Sequence, residues 1–284
     1  MGLSPLPAMM LEPLVRSALL EDLGRAGDVT TEATVAKYHH ATTVLAAREH
    51  GVVAGLDLVS LAFKLIEQNI KIDVNRADGS KVAQGEIIAS VSGPTRAILT
   101  AERTALNFLC HLSGIATATA SIVAAVREHH AKITCTRKTT PGLRVVQKYA
   151  VRAGGGANHR FGLDDAVLIK DNHIAVAGGV RAAIKRARES VGHLVKIEVE
   201  IDTLAQLEEA LSLAPDAVLL DNMPADELRQ AVTMVASRAI TEASGRITAS
   251  TAPVIAATGV DLISIGWLTH SAPILDIGLD YYSP

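Results

Sequence analysis

The sequence has few cysteines, few aromatic residues and little excess charge, and each shortage excludes a class of protein. Cys110 and Cys135 are the only cysteines among 284 residues, and neither belongs to a Cys-x-x-Cys or Cys/His cluster. We therefore expect neither a disulfide framework nor a structural zinc site. Aromatic residues make up 3% of the chain and the net charge is −3, so neither a base-stacking platform nor a basic field for nucleic acid is expected.

Long hydrophobic runs are also missing. No run of eighteen apolar residues occurs, and no cationic segment precedes the first apolar stretch. We therefore expect a cytoplasmic protein with no membrane partner. Hydrophobic residues nevertheless make up 49% of the chain, mainly Ala, Val, Leu and Ile. This apolar but aromatic-poor composition is typical of parallel strands covered by helices.

The first third of the chain indicates a small α+β domain. An N-terminal helix is predicted to end around Leu23 and a second helix lies at about 55–69. Short strand-like runs bounded by turn dipeptides are predicted at 41–47, 70–75 and 86–93. Residues 101–130 have helical composition and are apolar over most of their surface, with a break expected near Ser113-Gly114. We interpret this segment as the joint between two domains.

After residue 131 the pattern alternates between strand and helix. Strands are predicted at 132–136, 166–170, 194–201, 216–220, 239–243 and 262–266. Helices are predicted between them at about 142–153, 179–191, 203–213, 225–237 and 249–258. Alternating βα units predict a parallel sheet with right-handed crossovers, and six units favour an incomplete barrel. A doubly wound sheet stays open as an alternative, although the first βα turn lacks the GxGxxG of a dinucleotide site.

The predicted fold class is therefore α/β: an open (incomplete) α/β barrel preceded by a smaller α+β domain. We assign residues 1–115 to the α+β domain and 116–269 to the barrel. The tail, about 270–284, is expected to pack with the first domain.

Charged residues stand near the carboxyl ends of nearly all the predicted barrel strands, where barrels collect their functional groups. In the strand KIEVEI, side-chain alternation puts Lys196, Glu198 and Glu200 on one face and the apolar residues on the other. The apolar face must meet the helices, so we expect the carboxylates to point into the barrel, where they need cations or ligands. A solvated edge strand is the alternative interpretation.

The segment 133–170 is strongly basic, with seven Lys or Arg against two Asp in a chain whose total charge is −3. Lys148 is explained by a solvated helix face. Arg137-Lys138 and His159-Arg160 instead fall in loops beside glycines, where guanidinium groups bind carboxylates or phosphates. The pattern indicates a small polyanionic ligand. Ser244-Gly245 and Ile265-Gly266, at the ends of the last two strands, are placed to cradle a phosphate.

These segments together resemble the quinolinate phosphoribosyltransferase family, also called carboxylating nicotinate-nucleotide pyrophosphorylase. The matching stretches follow the family's order over nearly the whole chain: EDLGRAGDVTT (21–31), AERTALNFLCHLSGIAT (101–117), TRKTTPGLRVVQKYAVRAGGGANHRFGL (136–163), LIKDNH (168–173), EVEID (198–202), LLDNM (219–223) and GWLTHSAPILDIGLD (266–280). The resemblance implies a pentosyltransferase of NAD biosynthesis. Such an enzyme joins quinolinate to phosphoribosyl pyrophosphate and gives nicotinate mononucleotide, pyrophosphate and CO₂. It also implies Mg²⁺ as cofactor and a homodimer or higher homo-oligomer.

The resemblance assigns roles to the matching positions. Arg137, His159 and Arg160 would hold the two carboxylates of quinolinate, and Arg103 would reach into the neighbouring subunit's site. Four charged residues would be catalytic: Lys138, Lys170, Glu200 and Asp221. The two lysines would contact phosphates, and the two carboxylates would face the ribose hydroxyls and Mg²⁺, directly or through water. Further substrate contacts are expected from residues at strand ends, namely Thr136, Ser244, Gly245, Arg246, Ile265, Gly266 and Trp267.

Two positions depart from the family pattern. Arg246 stands where the family usually has a second glycine, and a left-handed backbone there would be strained. Either the loop differs or Arg246 itself binds phosphate. Trp267 replaces a usually small residue and is expected to narrow the other phosphate loop.

Three other functions stay open. The chain could be a paralogous pyrophosphorylase with another acceptor, although the full basic set argues against a substrate with one carboxylate fewer. It could be a barrel lyase that uses Lys138 or Lys170 as a Schiff-base nucleophile. It could also bind its ligand without turnover, although the four intact catalytic positions argue against this.

Overall fold

The structure, a computed structural model, describes residues 3–281; residues 1–2 and 282–284, at the outer ends of the predicted domain and tail, lie outside the described residues. Two compact units are present. Unit 1 comprises Met1–Ala120, Thr140–Gly155 and Thr269–Pro284, and unit 2 comprises Ser121–Thr139 and Gly156–Leu268. Residues 140–155, which the sequence assigned to the barrel, therefore cluster with unit 1. The predicted domain limits stay predictions.

The described residues form these helices: α1 (Ala8–Leu23), α2 (Val29–Thr34), α3 (Leu56–Ile66), α4 (Thr95–Ala125), α5 (Arg144–Ala153), α6 (Asp171–Ala177), α7 (Val180–Ser190), α8 (Leu204–Leu211), α9 (Ala225–Val235), α10 (Ala252–Ala256) and α11 (Trp267–His270). They form these strands: β1 (His40–Ala47), β2 (Gly51–Val52), β3 (Lys71–Val74), β4 (Lys81–Val82), β5 (Ile87–Pro94), β6 (Lys132–Thr134), β7 (Val167–Ile169), β8 (Ile197–Ile201), β9 (Ala217–Asp221), β10 (Ile240–Ser244), β11 (Leu262–Ser264) and β12 (Ile277–Tyr281).

Unit 1 is built on an antiparallel sheet in the order β12-β1-β5-β3. The three strands predicted from the sequence are confirmed as β1, β3 and β5; β1 is mostly buried, whereas the edge strand β3 is mostly exposed. The tail strand β12, which was not predicted, pairs antiparallel with β1, with Leu45 opposite Leu279. A separate two-stranded pair, β2-β4, completes the unit's strands among the described residues.

Helix α4 runs unbroken through Ser113 and Gly114, so the predicted break there is wrong. The small residues serve close packing instead. A Cβ on Gly114 would lie 2.1 Å from the carbonyl oxygen of Pro273. The hydroxyl of Ser113 accepts a hydrogen bond of 3.0 Å from the backbone N–H of Ala54. Glycine is kept in mid-helix because another backbone approaches it, which a sequence pattern does not reveal.

Helix α4 is also the one described helix that is long and apolar enough, by length and composition, to cross a membrane, with a mean hydropathy of 1.6 over eighteen residues. Half of that window is buried inside the protein. Ala101, Ala105 and Leu109 are fully buried one helical turn apart, as expected for the core helix of a folded unit.

A Gly114→Ala variant tests the packing at α4. Alanine normally favours a helix interior over glycine by about 1 kcal/mol. Here we expect the opposite sign, a loss of about 1–3 kcal/mol in the free energy of unfolding, because the methyl group collides with backbone. Urea denaturation measures this. Gly192→Ala is the control, since a Cβ at Gly192 meets nothing within 4 Å and should change stability little. A Gly114→Ala variant as stable as the parent would contradict the packing argument.

Helix α5 corrects another expectation. Lys148 was assigned to a solvated helix face, but it is fully buried, and no residue of α5 is exposed. The helix lies inside unit 1, where the amide of Gln147 contacts His111 at 2.9 Å and the hydroxyl of Thr140 at 2.9 Å. A helix enclosed on all sides has no solvated face. Periodicity therefore cannot predict that a basic residue such as Lys148 is buried.

Unit 2 is an open parallel barrel. Its six strands follow the order β6-β11-β10-β9-β8-β7, and every paired neighbour is parallel. This order runs around the ring in one direction without the reversal of a doubly wound sheet, so that alternative is wrong. All six predicted strands are confirmed, mostly with shorter bounds. The edge strands are β6 and β7, which form no ladder with each other among the described residues.

Three short helices of the described residues were not predicted from the sequence, α2, α6 and α11. Helix α6 begins directly after Lys170, whose backbone N–H donates to Nδ1 of His173 at 2.9 Å. That bond satisfies a donor at the start of the helix. His173 therefore accepts a hydrogen bond that supports the start of the helix.

Candidate active site

A cavity of about 370 Å³ opens at the carboxyl ends of the barrel strands. Nine of the residues expected in the site line it together: Thr136, Arg137, Lys138, His159, Arg160, Lys170, Glu200, Asp221 and Ser244. They are brought together because parallel strands deliver the residues that follow them to one end of a barrel.

Six expected residues do not line this cavity. Arg103 is exposed on α4 in unit 1, beside Asp28 and Thr100. The other five belong to the two proposed phosphate loops: Gly245, Arg246, Ile265, Gly266 and Trp267. Four lining residues were not expected in the site, namely Leu168, Leu219, Glu242 and Ser264. Strand alternation was the available signal for Glu242, since it lies two residues before Ser244 and shares its face.

The charges of the cavity are segregated by strand. The cations follow the two edge strands: Arg137 and Lys138 come after β6, and Lys170 comes directly after β7. The lining carboxylates Glu200, Asp221 and Glu242 belong instead to the central strands β8, β9 and β10. The cavity therefore has a basic side at the barrel opening and an acidic side at its centre.

A tight turn presents the first two cations. The hydroxyl of Thr136 accepts a hydrogen bond of 3.0 Å from the backbone N–H of Lys138, and the backbone N–H of Thr139 donates to the carbonyl of Arg137 at 3.0 Å. The turn leaves strand β6 and exposes successive side chains to the cavity. The third basic position, Arg160, comes from a segment beside the same strand, since Ala157 forms a parallel bridge with Thr134.

Arg137 and Arg160 are half-buried neighbours on the basic side of the cavity. The Nε atom of each is buried without a hydrogen-bond partner among the described residues, while Nη1 of Arg160 donates to the carbonyl of Ala166 at 2.8 Å. Burial and the neighbouring charge of Arg137 lower the pKa of Arg160 from its ordinary value. Two like charges with unsatisfied Nε donors face one cavity, and this arrangement favours binding of an anion with several oxygen atoms.

The basic and acidic sides meet where Nζ of Lys170 lies 3.1 Å from Oε2 of Glu200. The Glu200 side chain is largely buried, whereas Lys170 is half exposed. Asp221 accepts a hydrogen bond of 2.5 Å from the side-chain amide of Asn222. The backbone N–H of Asn222 in turn donates to the carbonyl of Ser244 at 2.9 Å. These contacts fix the ends of β9 and β10 against each other.

The imidazole of His159 connects the basic and acidic sides of the cavity. Nε2 of His159 lies 2.9 Å from Oε2 of Glu198 and 3.6 Å from Oε1 of Glu242. The Glu198 side chain is 12% exposed and the Glu242 side chain 1%. The KIEVEI prediction is thus confirmed for its carboxylates: Glu198 and Glu200 point into the barrel, and Ile197, Val199 and Ile201 are buried. It is wrong for Lys196, which precedes β8, is exposed and pairs with Asp216 at 2.6 Å. Among the described residues, His159, Glu198 and Glu242 are the one set of three His or carboxylate groups close enough to hold a metal ion.

The loop after β10 has the left-handed backbone anticipated from its sequence. Arg246 has a φ of 50° and Gly245 a φ of 112°. A Cβ on Gly245 would lie 2.3 Å from Oδ1 of Asn222, so only glycine fits there. Trp267 does not line the cavity and therefore does not narrow it. Its indole N–H donates to the carbonyl of Ile247 at 2.9 Å and ties the two loops together.

An Arg246→Gly variant is expected to gain about 0.5–1 kcal/mol in the free energy of unfolding, because a left-handed backbone costs a side-chain-bearing residue roughly 1–2 kcal/mol. Thermal or urea denaturation measures this gain. Arg186→Gly is the matched control: Arg186 is exposed within helix α7, so the same replacement should lose about 1 kcal/mol there. Equal losses at both positions would show that the backbone at 246 is not strained.

Comparison with known proteins agrees with the site. The model of the quinolinate phosphoribosyl transferase C-terminal domain matches residues 115–280, and that of the N-terminal domain matches residues 28–113. A probable carboxylating nicotinate-nucleotide pyrophosphorylase of Bacillus subtilis is 44% identical over 96% of this chain and 93% of its own length. The carboxylating nicotinate-nucleotide pyrophosphorylase of Mycobacterium leprae is 46% identical over 94% of this chain and 95% of its own.

Solved structures give the same result. The nicotinate-nucleotide pyrophosphorylase of Francisella tularensis superposes with a TM-score of 0.94 at 38% identity, covering 99% of both chains. The parallel barrel, its cavity of segregated charges and these full-length similarities lead to one assignment. This chain belongs to the quinolinate phosphoribosyltransferase family, the carboxylating pentosyltransferases of NAD biosynthesis.

Proposed function

We propose that the barrel cavity carries out the family's reaction, the transfer of a phosphoribosyl group from phosphoribosyl pyrophosphate to quinolinate with loss of CO₂. The observation that carries this proposal is the charge segregation. The half-buried guanidiniums of Arg137 and Arg160 suit the dicarboxylated ring, and the carboxylates of Glu200 and Asp221 suit the sugar. A cavity of about 370 Å³ is within the size range of small-molecule sites.

Acceptor binding is assigned to the basic side. Each guanidinium presents a planar fork of donors to a carboxylate, and such charge-assisted pairs are about twice as strong as neutral hydrogen bonds. A second carboxylate relieves the repulsion between the two arginines. A pyridine with one carboxylate fewer leaves a buried cation without an anion, which favours quinolinate over nicotinate.

Sugar and phosphate binding are assigned to the other residues of the rim. Departure of pyrophosphate builds positive charge on the ribose ring, and the carboxylates of Glu200 and Asp221 stabilise that charge, as in other reactions with oxocarbenium character. Lys138 and Lys170 offset the negative charge of the phosphate groups. Because Lys170 pairs with Glu200 at 3.1 Å, we expect phosphate binding to draw its ammonium away from the carboxylate.

Mg²⁺ fits the donor set on the acidic side. Glu200 and Asp221 end neighbouring strands, and magnesium in proteins usually takes one or two carboxylates together with water and substrate phosphates. When bound, the cation would neutralise charge on the pyrophosphate leaving group. The contacts would run to these two carboxylates, directly or through water.

Decarboxylation follows from the product of the transfer. Once its nitrogen carries the ribose, the pyridinium ring can hold the electron pair left on carbon when the adjacent carboxyl departs as CO₂. That carbon then takes up a proton. The step needs a ring held in place more than it needs a general base, and the arginine pair supplies the positioning.

The oligomer and its location are also proposals. We propose a homodimer, or a multiple of it, in which Arg103 completes the neighbouring subunit's cavity, in the cytoplasm. Two observations support the role of Arg103: its side chain is exposed on α4, and it does not line the cavity of its own chain.

The competing functions fit less well. A Schiff-base nucleophile needs a neutral amine, whereas Lys170 is paired with a largely buried carboxylate. A paralogue with a monocarboxylate acceptor leaves the buried Nε of one arginine unsatisfied. A non-catalytic binder has no need of acidic groups on the sugar side.

The test combines the purified protein with Mg²⁺, phosphoribosyl pyrophosphate and carboxyl-labelled quinolinate, with nicotinate as a parallel acceptor. We expect labelled CO₂ and pyrophosphate in equal amounts from quinolinate and no product from nicotinate. Turnover of nicotinate would favour the paralogue. Borohydride trapping of a carbonyl substrate on a lysine would favour the lyase, and binding without turnover would favour the non-catalytic function.

A further inference from the structure

The imidazole of His159 has both of its nitrogen atoms engaged within the protein. Nδ1 lies 2.8 Å from the backbone nitrogen of Arg160. Since a backbone N–H can only donate, Nδ1 must be the acceptor and carries no proton. The ring proton then sits on Nε2, which lies 2.9 Å from Oε2 of Glu198 and so donates to that carboxylate. The geometry selects the neutral Nε2–H tautomer.

This arrangement argues against two ligand roles for His159. A carboxylate of the acceptor would need an N–H donor, and the one donor of the ring is already directed at Glu198. A metal ion would need the lone pair of Nε2, which is available only if that proton is removed while Nδ1 still accepts from backbone. A cation would also have to sit beside Arg160. The cluster of His159, Glu198 and Glu242 is thus a poor metal site despite its spacing.

The segment that carries Arg160 is connected to three strands. On one side, the backbone N–H of Ala157 donates to the carbonyl of Ile133 in β6 at 2.8 Å. On the other side, His159 reaches Glu198 of β8 and Glu242 of β10. The charges of Asp165 and, to a smaller degree, Glu198 also act on Arg160, since both raise the pKa of that guanidinium against the larger lowering caused by burial and by Arg137. Both the backbone and the charge of Arg160 therefore depend on these neighbours.

We propose that His159, Glu198 and Glu242 are positioning residues, which fix the backbone of Arg160 and balance its buried charge, and that Arg137 and Arg160 rather than His159 bind the acceptor's carboxylates. The proposal rests on the proposed acceptor role of the two arginines. It replaces the expectation, drawn from family resemblance, that His159 is itself a carboxylate ligand. It also gives functions to Glu198 and Glu242, which that resemblance left without one.

The first test is spectroscopic and does not require turnover. Protein labelled with ¹⁵N in its histidines gives the tautomer of each ring from long-range ¹H–¹⁵N spectra, and a His159→Gln variant assigns the signal. We expect the neutral Nε2–H form near pH 7 in the free protein, and no change when quinolinate is added. A ring that becomes doubly protonated, or exchanges its tautomer, on addition of quinolinate would overturn the proposal.

The second test separates binding of the two substrates. We expect Glu198→Ala to raise KM for quinolinate roughly 10–100-fold, with KM for phosphoribosyl pyrophosphate within about threefold of the parent. The amide oxygen of Glu198→Gln can still accept from Nε2–H, so its KM for quinolinate should lie between those of the parent and Glu198→Ala. Glu208→Ala, an exposed carboxylate on α8, is the matched control and should leave both constants unchanged.

The outcomes distinguish this proposal from the proposed function. If His159 were a direct ligand, removing Glu198 would free its N–H, and KM for quinolinate would stay the same or fall. If Glu198→Ala failed to fold, Glu198→Gln and the spectra of the parent protein would still decide. If the parent protein released no CO₂ from quinolinate, the proposed function would fail, while the tautomer in the free protein would still test the positioning network.

Discussion

An Arg137→Ala variant is expected to lose roughly 10²–10³-fold in kcat/KM for quinolinate, because it removes one of two half-buried guanidiniums that face the cavity. A charge-assisted contact of this kind is worth about 1.5–3 kcal/mol, and a carboxylate left without its partner adds to the loss. Arg137→Lys should recover only part of the activity, because an ammonium cannot replace the planar fork of a guanidinium.

The measurement is steady-state kinetics with each substrate varied in turn, together with calorimetric titration of phosphoribosyl pyrophosphate. Binding of phosphoribosyl pyrophosphate should persist in Arg137→Ala, since the arginine lies on the basic side of the cavity. Arg186→Ala, on the exposed face of α7, is the matched control for loss of an arginine. Normal turnover of quinolinate by Arg137→Ala would show that the carboxylate assignment is wrong.

Sequence patterns predicted the barrel well for a physical reason. Parallel strands buried on both faces are continuous apolar runs, and the residues that follow them must gather at one end. The positions of Arg137, Lys170 and Glu200 along the chain therefore predicted that they would meet, and they line one cavity. Alternation in KIEVEI also predicted the inward direction of Glu198. These inferences need only periodicity and strand order.

The parts that could not be predicted depend on contacts between distant segments. Gly114 looked like a helix break, because the sequence does not show that the backbone of Pro273 passes within 2.1 Å of where its Cβ would be. Lys148 looked solvated, because the burial of α5 on all sides is a property of unit 1 as a whole. The tautomer of His159 depends on a backbone N–H whose direction no pattern encodes.

Asp221→Asn and Glu200→Gln are expected to lower kcat by roughly 10²–10³-fold while KM for quinolinate changes little. Both replacements keep the shape of the side chain and remove its charge. The amide of Asn222, which donates to Asp221 at 2.5 Å, can still find an oxygen acceptor in the asparagine variant. A large effect therefore reports the electrostatic contribution of the carboxylate to the transition state, where the ribose ring is most positive.

The two variants should differ in one respect. Glu200 pairs with Lys170 at 3.1 Å, so Glu200→Gln also releases that ammonium, which offsets the loss of a Mg²⁺ contact and should leave KM for phosphoribosyl pyrophosphate lower than in Asp221→Asn. Among the described residues Asp221 forms no ion pair with a cation, so Asp221→Asn should raise that KM if the carboxylate helps to hold Mg²⁺, and added Mg²⁺ should then restore part of the loss. Glu208→Gln on α8 is the matched control. A kcat unchanged in both variants would mean that the acidic side of the cavity does not stabilise the developing charge, because an effect on binding alone leaves kcat as it was.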